Sequence, residues 1–191
     1  WLMGRDCKRV QSFGSLRHFT ADNAPQGAPE RCLDGCPHAD RCPYYAPRLY
    51  MDMTRTGWPV DVITTDLSEE GRRWALEVGP YGRCVYHCDN DVVDRQVVNL
   101  EFEDGAVATF TMTAFSADFS RQLKIFGTAG QITADMGTGE IVLHRFGEEK
   151  KTIPVDAAHS GHGGGDYGIL RDFLQILRHG GESRTNANIS L

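Results

Sequence analysis

Five of the chain's six cysteines fall in two clusters. Cys32-Leu33-Asp34-Gly35-Cys36-Pro37-His38-Ala39-Asp40-Arg41-Cys42 carries three thiols, and Cys84-Val85-Tyr86-His87-Cys88 carries two more around a histidine. Thiolates and imidazoles are the donors zinc prefers, four at tetrahedral corners, commonly drawn from two separate loops. Cys32, Cys36, Cys42 and Cys84 therefore form a candidate structural zinc set, with Cys88 or His87 as the reserve fourth ligand. Cys7 stands apart as a plain core or surface thiol. The spacings, three and five intervening residues, are looser than the familiar C-x2-C pair.

Three other readings of these cysteines stay open. Free cysteine packs as a small hydrophobe, so the thiols can be unligated. Disulfides are a second reading, although a chain of 191 residues can bury a core without covalent staples. An iron–sulfur cluster is the third. The Cys36-Pro37 and Cys42-Pro43 steps suit one, but ferredoxin spacing is lacking.

Two polar segments could meet a small ligand. Asp89-Asn90-Asp91-Val92-Val93-Asp94 offers carboxylates and an amide to sugar hydroxyls or to a proton in transfer. It lacks the glycine and distal glutamate of a calcium loop. His159-Ser160-Gly161-His162-Gly163-Gly164-Gly165-Asp166 runs into a helix, where free backbone N–H groups suit hydroxyl, carboxylate or phosphate groups. It does not end as a P-loop does. The plain alternatives are a polar turn before a strand and a solvated loop with Asp166 as an ordinary N-cap. No G-x-G-x-x-G lies between a strand and a helix, so these residues are not expected to bind a dinucleotide alone.

The elements that must position these groups follow from periodicity. Residues 8–19 read as a strand, with Val10, Leu16 and Phe19 inward, and 20–62 as a loop-rich stretch with a short helix at 43–50. Asp66 and Glu69 fit a helix start, and Trp74, Ala75 and Val78 an inner stripe that Gly79-Pro80 ends. Then the period changes to two. Strands are expected over 96–102, 106–115, 121–126, 131–135, 140–145 and 150–155, too closely spaced for crossover helices and hence antiparallel. A helix over 166–178 presents Ile169, Leu170, Phe173, Leu174 and Leu177 on one stripe, expected to lie across the sheet. The class is α+β: an open, mostly antiparallel sheet of about six strands, helices on one face, and a loop-rich, cysteine-containing insertion.

A net charge of −6 argues against nucleic acid as the main partner, since phosphate binding needs clustered Lys and Arg. No apolar run approaches the roughly 18 residues that span a membrane, and no signal peptide is visible. Thiols in metal-like spacing favour a reducing cytoplasm. The ends, Trp1-Leu2-Met3-Gly4 and Asn186-Ala187-Asn188-Ile189-Ser190-Leu191, read as the close of one helix and the start of another, as in a fragment of a longer protein.

Asn23-Ala24-Pro25-Gln26-Gly27-Ala28-Pro29-Glu30-Arg31-Cys32, Cys42-Pro43-Tyr44-Tyr45-Ala46, Gly82-Arg83-Cys84-Val85-Tyr86, the 89–94 loop, Phe126-Gly127-Thr128-Ala129-Gly130-Gln131-Ile132 and His162-Gly163-Gly164-Gly165-Asp166 appear in one order. In this the chain resembles the C-terminal domain of the Gfo/Idh/MocA oxidoreductases, and more narrowly a cysteine-bearing bacterial subgroup. Arg95 stands where that subgroup carries histidine. The resemblance implies a parent with an N-terminal Rossmann domain for NAD(P), absent from this chain, and a sugar, cyclitol or related polyol bound between the two domains. It implies that the catalytic lysine and histidine precede Trp1, so no catalytic or cofactor-binding residue is assigned here. Asp89, Asn90, Asp94, His162 and Asp166 are carried over as substrate-side residues.

The expectation is one C-terminal domain over 1–191, with a metal-pinned subregion at 20–90. It would serve an NAD(P)-dependent oxidoreductase in substrate binding and oligomerisation, as at least a dimer, and be inactive alone. Two readings compete: a zinc-pinned protein-interaction module without catalysis, and a relative that uses NAD to cleave glycosides.

Overall fold

Alternating side chains on either side of Glu103-Asp104-Gly105 build a hairpin, β2 (Arg95–Phe102) and β3 (Val107–Thr113). Gly105 takes a left-handed φ of 83° in the turn, and the Asp104 carboxylate accepts the Ala106 N–H at 3.1 Å. The register sets Val98 opposite Phe110 and Leu100 opposite Ala108. β1 (Cys7–Ser15) pairs antiparallel with the other edge of β2, which places Phe13 opposite Val97. The computed structural model describes residues 2–117, 120–155 and 164–183. They divide into two units, Arg5–Phe115 and a second built from Ser116 onward together with the residues before Arg5.

In the first unit the order is β1-β2-β3, with the loop-rich stretch and two helices inserted between β1 and β2. β1 stops at Ser15, short of the expected end at residue 19, because the next backbone donors leave the ladder for the Asp94 carboxylate. α1 (Ala46–Tyr50) is short and carries Pro47 in its first turn, where the missing N–H costs nothing. α2 (Glu69–Val78) begins later than its acidic residues suggest. Ser68, and not Asp66, is the cap: its hydroxyl accepts the Gly71 N–H at 3.1 Å, while Asp66 accepts from Ser68 N–H.

The buried face of α2 is Arg72, Ala75 and Leu76, in place of the expected Trp74, Ala75 and Val78. Trp74 and Val78 are exposed. The reason lies in Arg72, a charge that is buried because carbonyls surround it. Its guanidinium donates to Leu67 O at 2.9 Å, Asp52 O at 3.0 Å, Arg55 O at 2.7 Å and Tyr50 O at 3.3 Å. Buried donors paired in this way escape the cost of desolvation without a partner. Arg72 thus ties the 50–55 loop to α2, and Val60 and Leu76 are sealed in the same unit.

The second unit holds β4 (Gln122–Gly127), β5 (Gly130–Asp135), β6 (Glu140–Arg145) and β7 (Lys151–Pro154), an antiparallel meander in chain order. The class is α+β, as expected. The expected single meander is instead two sheets of three and four strands. β3's ladder ends when Ala114 N–H turns to Asp94 O and Phe115 N–H to the Thr113 hydroxyl. Asp135 receives Ser120 Oγ and Gly137 N–H, and these hold its carboxyl below the usual range.

α3 (Gly165–His179) follows Gly164, whose φ is 87°. Its apolar stripe, expected to lie across the sheet, is exposed: Ile169, Leu170, Phe173, Leu174 and Leu177 are all open, and the helix buries no residue. No helix among the described residues is long and apolar enough to cross a membrane.

Candidate functional site

Two adjoining clusters of reactive side chains lie in the first unit. The first is the cysteine cavity. Arg31 and Arg83 form an isolated antiparallel bridge, with Cys32 N–H donating to Gly82 O at 2.9 Å and Cys84 N–H to Glu30 O at 2.8 Å. Side chains alternate along paired extended segments, so Cys32 and Cys84, each one step past the bridge, project to the same side. The knuckle after Cys32 is a run of turns: Asp34 N–H to Arg31 O, Ala39 N–H to Cys36 O, and Cys42 N–H to His38 O. Arg48 closes it by donating to the carbonyls of Ala39, Asp40 and Cys42.

Cys32, Cys36, Cys42 and Cys84 consequently line one cavity of about 20 Å³, walled by prolines and by Tyr44, Tyr45 and Tyr86. All six cysteines are free thiols. Burial pushes the Cys32 thiol up, and the charges of Cys84, Cys36 and Cys42 add to it, while a backbone N–H from Ala46 opposes the shift. Cys84 is raised in the same way, against N–H donors from Tyr86 and His87. As placed, no three Cys, His, Asp or Glu side chains among the described residues make a group that could hold a metal ion. Cys88 Sγ donates to Cys84 O at 3.3 Å and the His87 ring bonds to Ala28 O at 3.1 Å, so both reserve ligands have other contacts. Cys7 is exposed.

The second cluster centres on His18. Its backbone N–H and that of Arg17 donate to Asp94 Oδ2, at 2.6 and 2.8 Å, and Arg95 donates to Oδ1 at 3.2 Å. The Asn23 amide takes the carbonyls of Arg17 and His18 from the other side. Clamped through both N–H and C=O, the loop presents the His18 ring to Phe19, Tyr44, Tyr86 and Phe115, with centroids 5.0–5.8 Å away and every contact edge-on. Phe19 and Phe115 stack at 5.5 Å. The Tyr86 hydroxyl lies 3.2 Å from His18 Nε2. An imidazole and a phenol in contact can hold or pass one proton, and the surrounding rings offer flat apolar faces. Tyr44 and Tyr86 belong to both clusters, because they also wall the cysteine cavity.

Among the sequence-selected polar residues, Asp94 is 2 % exposed and both its oxygens are engaged by the chain's own donors. The His18 N–H, with Arg17 N–H and the Arg95 charge, holds its carboxyl below the usual range against the opposing effect of burial. Asp89 is exposed and pairs with Arg83 at 2.6 Å, which lowers its pKa. Exposed Asn90 accepts the Val92 N–H. His162 lies outside the described residues, and Asp166 sits in the first turn of α3, in the other unit. Sequence reasoning missed His18, which it absorbed into a strand, and gave Tyr44 and Tyr86 no role of their own. The available signal was a His-Phe pair at a strand's end in a chain with tyrosines beside both cysteine clusters.

No family model matches the chain. It is similar to the putative oxidoreductase YteT of Bacillus subtilis (strain 168), 26% identical over 190 residues. The alignment takes in 91% of this chain and 43% of YteT, so the chain spans less than half the length of that relative. A solved structure, a putative NADPH-dependent oxidoreductase from Desulfitobacterium hafniense DCB-2, aligns over 55% of this chain and 33% of its own at 16% identity. Its TM-score of 0.41 is too low to show a common fold. YteT, to which nearly the whole chain is similar, is named a putative oxidoreductase.

Proposed function

We propose that this chain is the substrate-side part of a nicotinamide-dependent oxidoreductase acting on a sugar, cyclitol or related polyol, with the dinucleotide held outside these residues. The observation that carries the oxidoreductase part of the reading is the similarity to YteT along nearly the whole chain, and the nicotinamide and the polyol follow from the family resemblance of the sequence. Two features support it. The described residues form antiparallel sheets without a βαβ unit, so a dinucleotide site of the Rossmann type has no counterpart among them. The His18–Tyr86 pair within aromatic rings also suits a polyol, whose C–H faces pack on rings while hydroxyls reach the imidazole and phenol.

In this reading Asp94 acts through His18, positioning it, while the exposed side chains of Asp89, paired with Arg83, and Asn90 are the ones that meet substrate hydroxyls. Asp166, His162 and assembly into at least a dimer belong to the same proposal, as does work in a reducing compartment. When bound, the nicotinamide would supply the hydride chemistry. This chain's residues bind and orient the polyol.

The test compares the 191-residue chain with a longer protein that carries it. Calorimetric titration with NADH and NADPH should show binding by the longer protein and none by the chain. Reduction of NAD or NADP against a panel of polyols should be seen with the longer protein and be weakened by His18→Ala. Tight dinucleotide binding by the chain alone would sink this division of labour. An absence of polyol-dependent reduction in the longer protein would sink the activity.

A further inference from the structure

The cysteine cavity is not used by the reading above and does not depend on it. We infer that Cys32, Cys36, Cys42 and Cys84 hold a single zinc ion in a closed, tetrahedral, structural site. Four thiols separated by as many as 52 positions in the chain, Cys32 to Cys84, line one cavity because two extended segments and an Arg48-closed knuckle bring them there. The hydrogen bonds that do this belong to the backbone and to Arg48, so the convergence does not depend on the sulfurs themselves.

The cavity is small. About 20 Å³ is room for one water-sized sphere, which suits a lone ion. As placed, the side chains do not yet form a metal-holding group. A change of one χ1 rotamer carries a cysteine sulfur by about 3 Å, so side chains already facing one cavity can close on an ion without backbone movement.

Thiols coordinated to a divalent ion lose their protons outright. Backbone N–H groups stand ready to bond the resulting thiolates, that of Ala46 at Cys32 and those of Tyr86 and His87 at Cys84. Zinc with four thiolates carries two net negative charges.

Four protein ligands leave no open position, so the ion activates no water. Its effect is mechanical. It ties the 32–42 knuckle to the Cys84 segment and so fixes Tyr44 and Tyr86, which stand around His18.

The test is metal analysis of the chain purified under reducing conditions, followed by exchange with cobalt. The expected results are near one zinc per chain, no iron, and the visible absorption of tetrahedral cobalt thiolate after exchange. Cys36→Ser and Cys42→Ser should lose stoichiometric binding, and Cys7→Ser and Cys88→Ser should keep it. Should a ligand variant fail to fold, the wild-type stoichiometry and cobalt spectrum decide alone. A metal-free chain whose four thiols all react with a thiol reagent would overturn the assignment. So would disulfides among them, iron with acid-labile sulfide, or loss of the metal in Cys88→Ser.

Discussion

Asp94 accepts the backbone N–H of His18 at 2.6 Å, across 76 positions of sequence, and this bond ends β1 and turns the imidazole toward Tyr86. One carboxylate therefore governs both where a strand stops and where a reactive side chain points. The same group follows pH. Its pKa lies below the unfolded value of about 3.9, so its stabilisation is present above that value and is lost as pH falls through the folded pKa. Asp94→Asn is expected to lower the melting temperature at neutral pH. The gap to wild type should close in acid, as followed by thermal melts at several pH values. A gap that widens in acid would refute the anchor.

Arg72 makes a second test, because its partners are carbonyls and not an acid. Lysine has the charge but not the fork, and Arg72→Lys forfeits about two charged hydrogen bonds, roughly 3 kcal/mol. Urea unfolding of the variant should show that loss. A loss below about 0.5 kcal/mol would mean that the clamp on the 50–55 loop is not needed.

Gly82 has no room for a side chain. A methyl group there would run into the Leu76 carbonyl oxygen, a backbone atom at the end of α2 that cannot swing aside. Gly82→Ala is expected to cost about 3 kcal/mol or more, and it should shift the Cys84 segment as well. Denaturant melts give the first quantity. Thiol reactivity of Cys84 gives the second, and an unaltered rate would separate the two effects.

The exposed stripe of α3 yields the opposite expectation. Leu174 is about half exposed, so Leu174→Glu should leave the chain's own stability unchanged within about 0.5 kcal/mol. A large destabilisation in the isolated chain would show that the stripe is covered.

The sequence by itself determined the antiparallel hairpins, the α+β class and the nomination of four thiols for one site. Period-two alternation broken by glycine turns leaves short strands one way to pair, and β2–β3 and β4–β7 formed close to where that pattern puts them. Cysteine spacing likewise marks chemistry locally. Tertiary structure alone decided the rest. Arg72 reads as a surface residue until the distant carbonyls of Tyr50, Asp52 and Arg55 are seen around it, and that reversal turned the buried face of α2 away from Trp74. Asp94 reads as a ligand-facing carboxylate until the N–H groups of Arg17 and His18 are found on it. A charged side chain's place depends on which backbone groups the fold leaves without partners. Those groups come from far along the chain, and no local pattern encodes them.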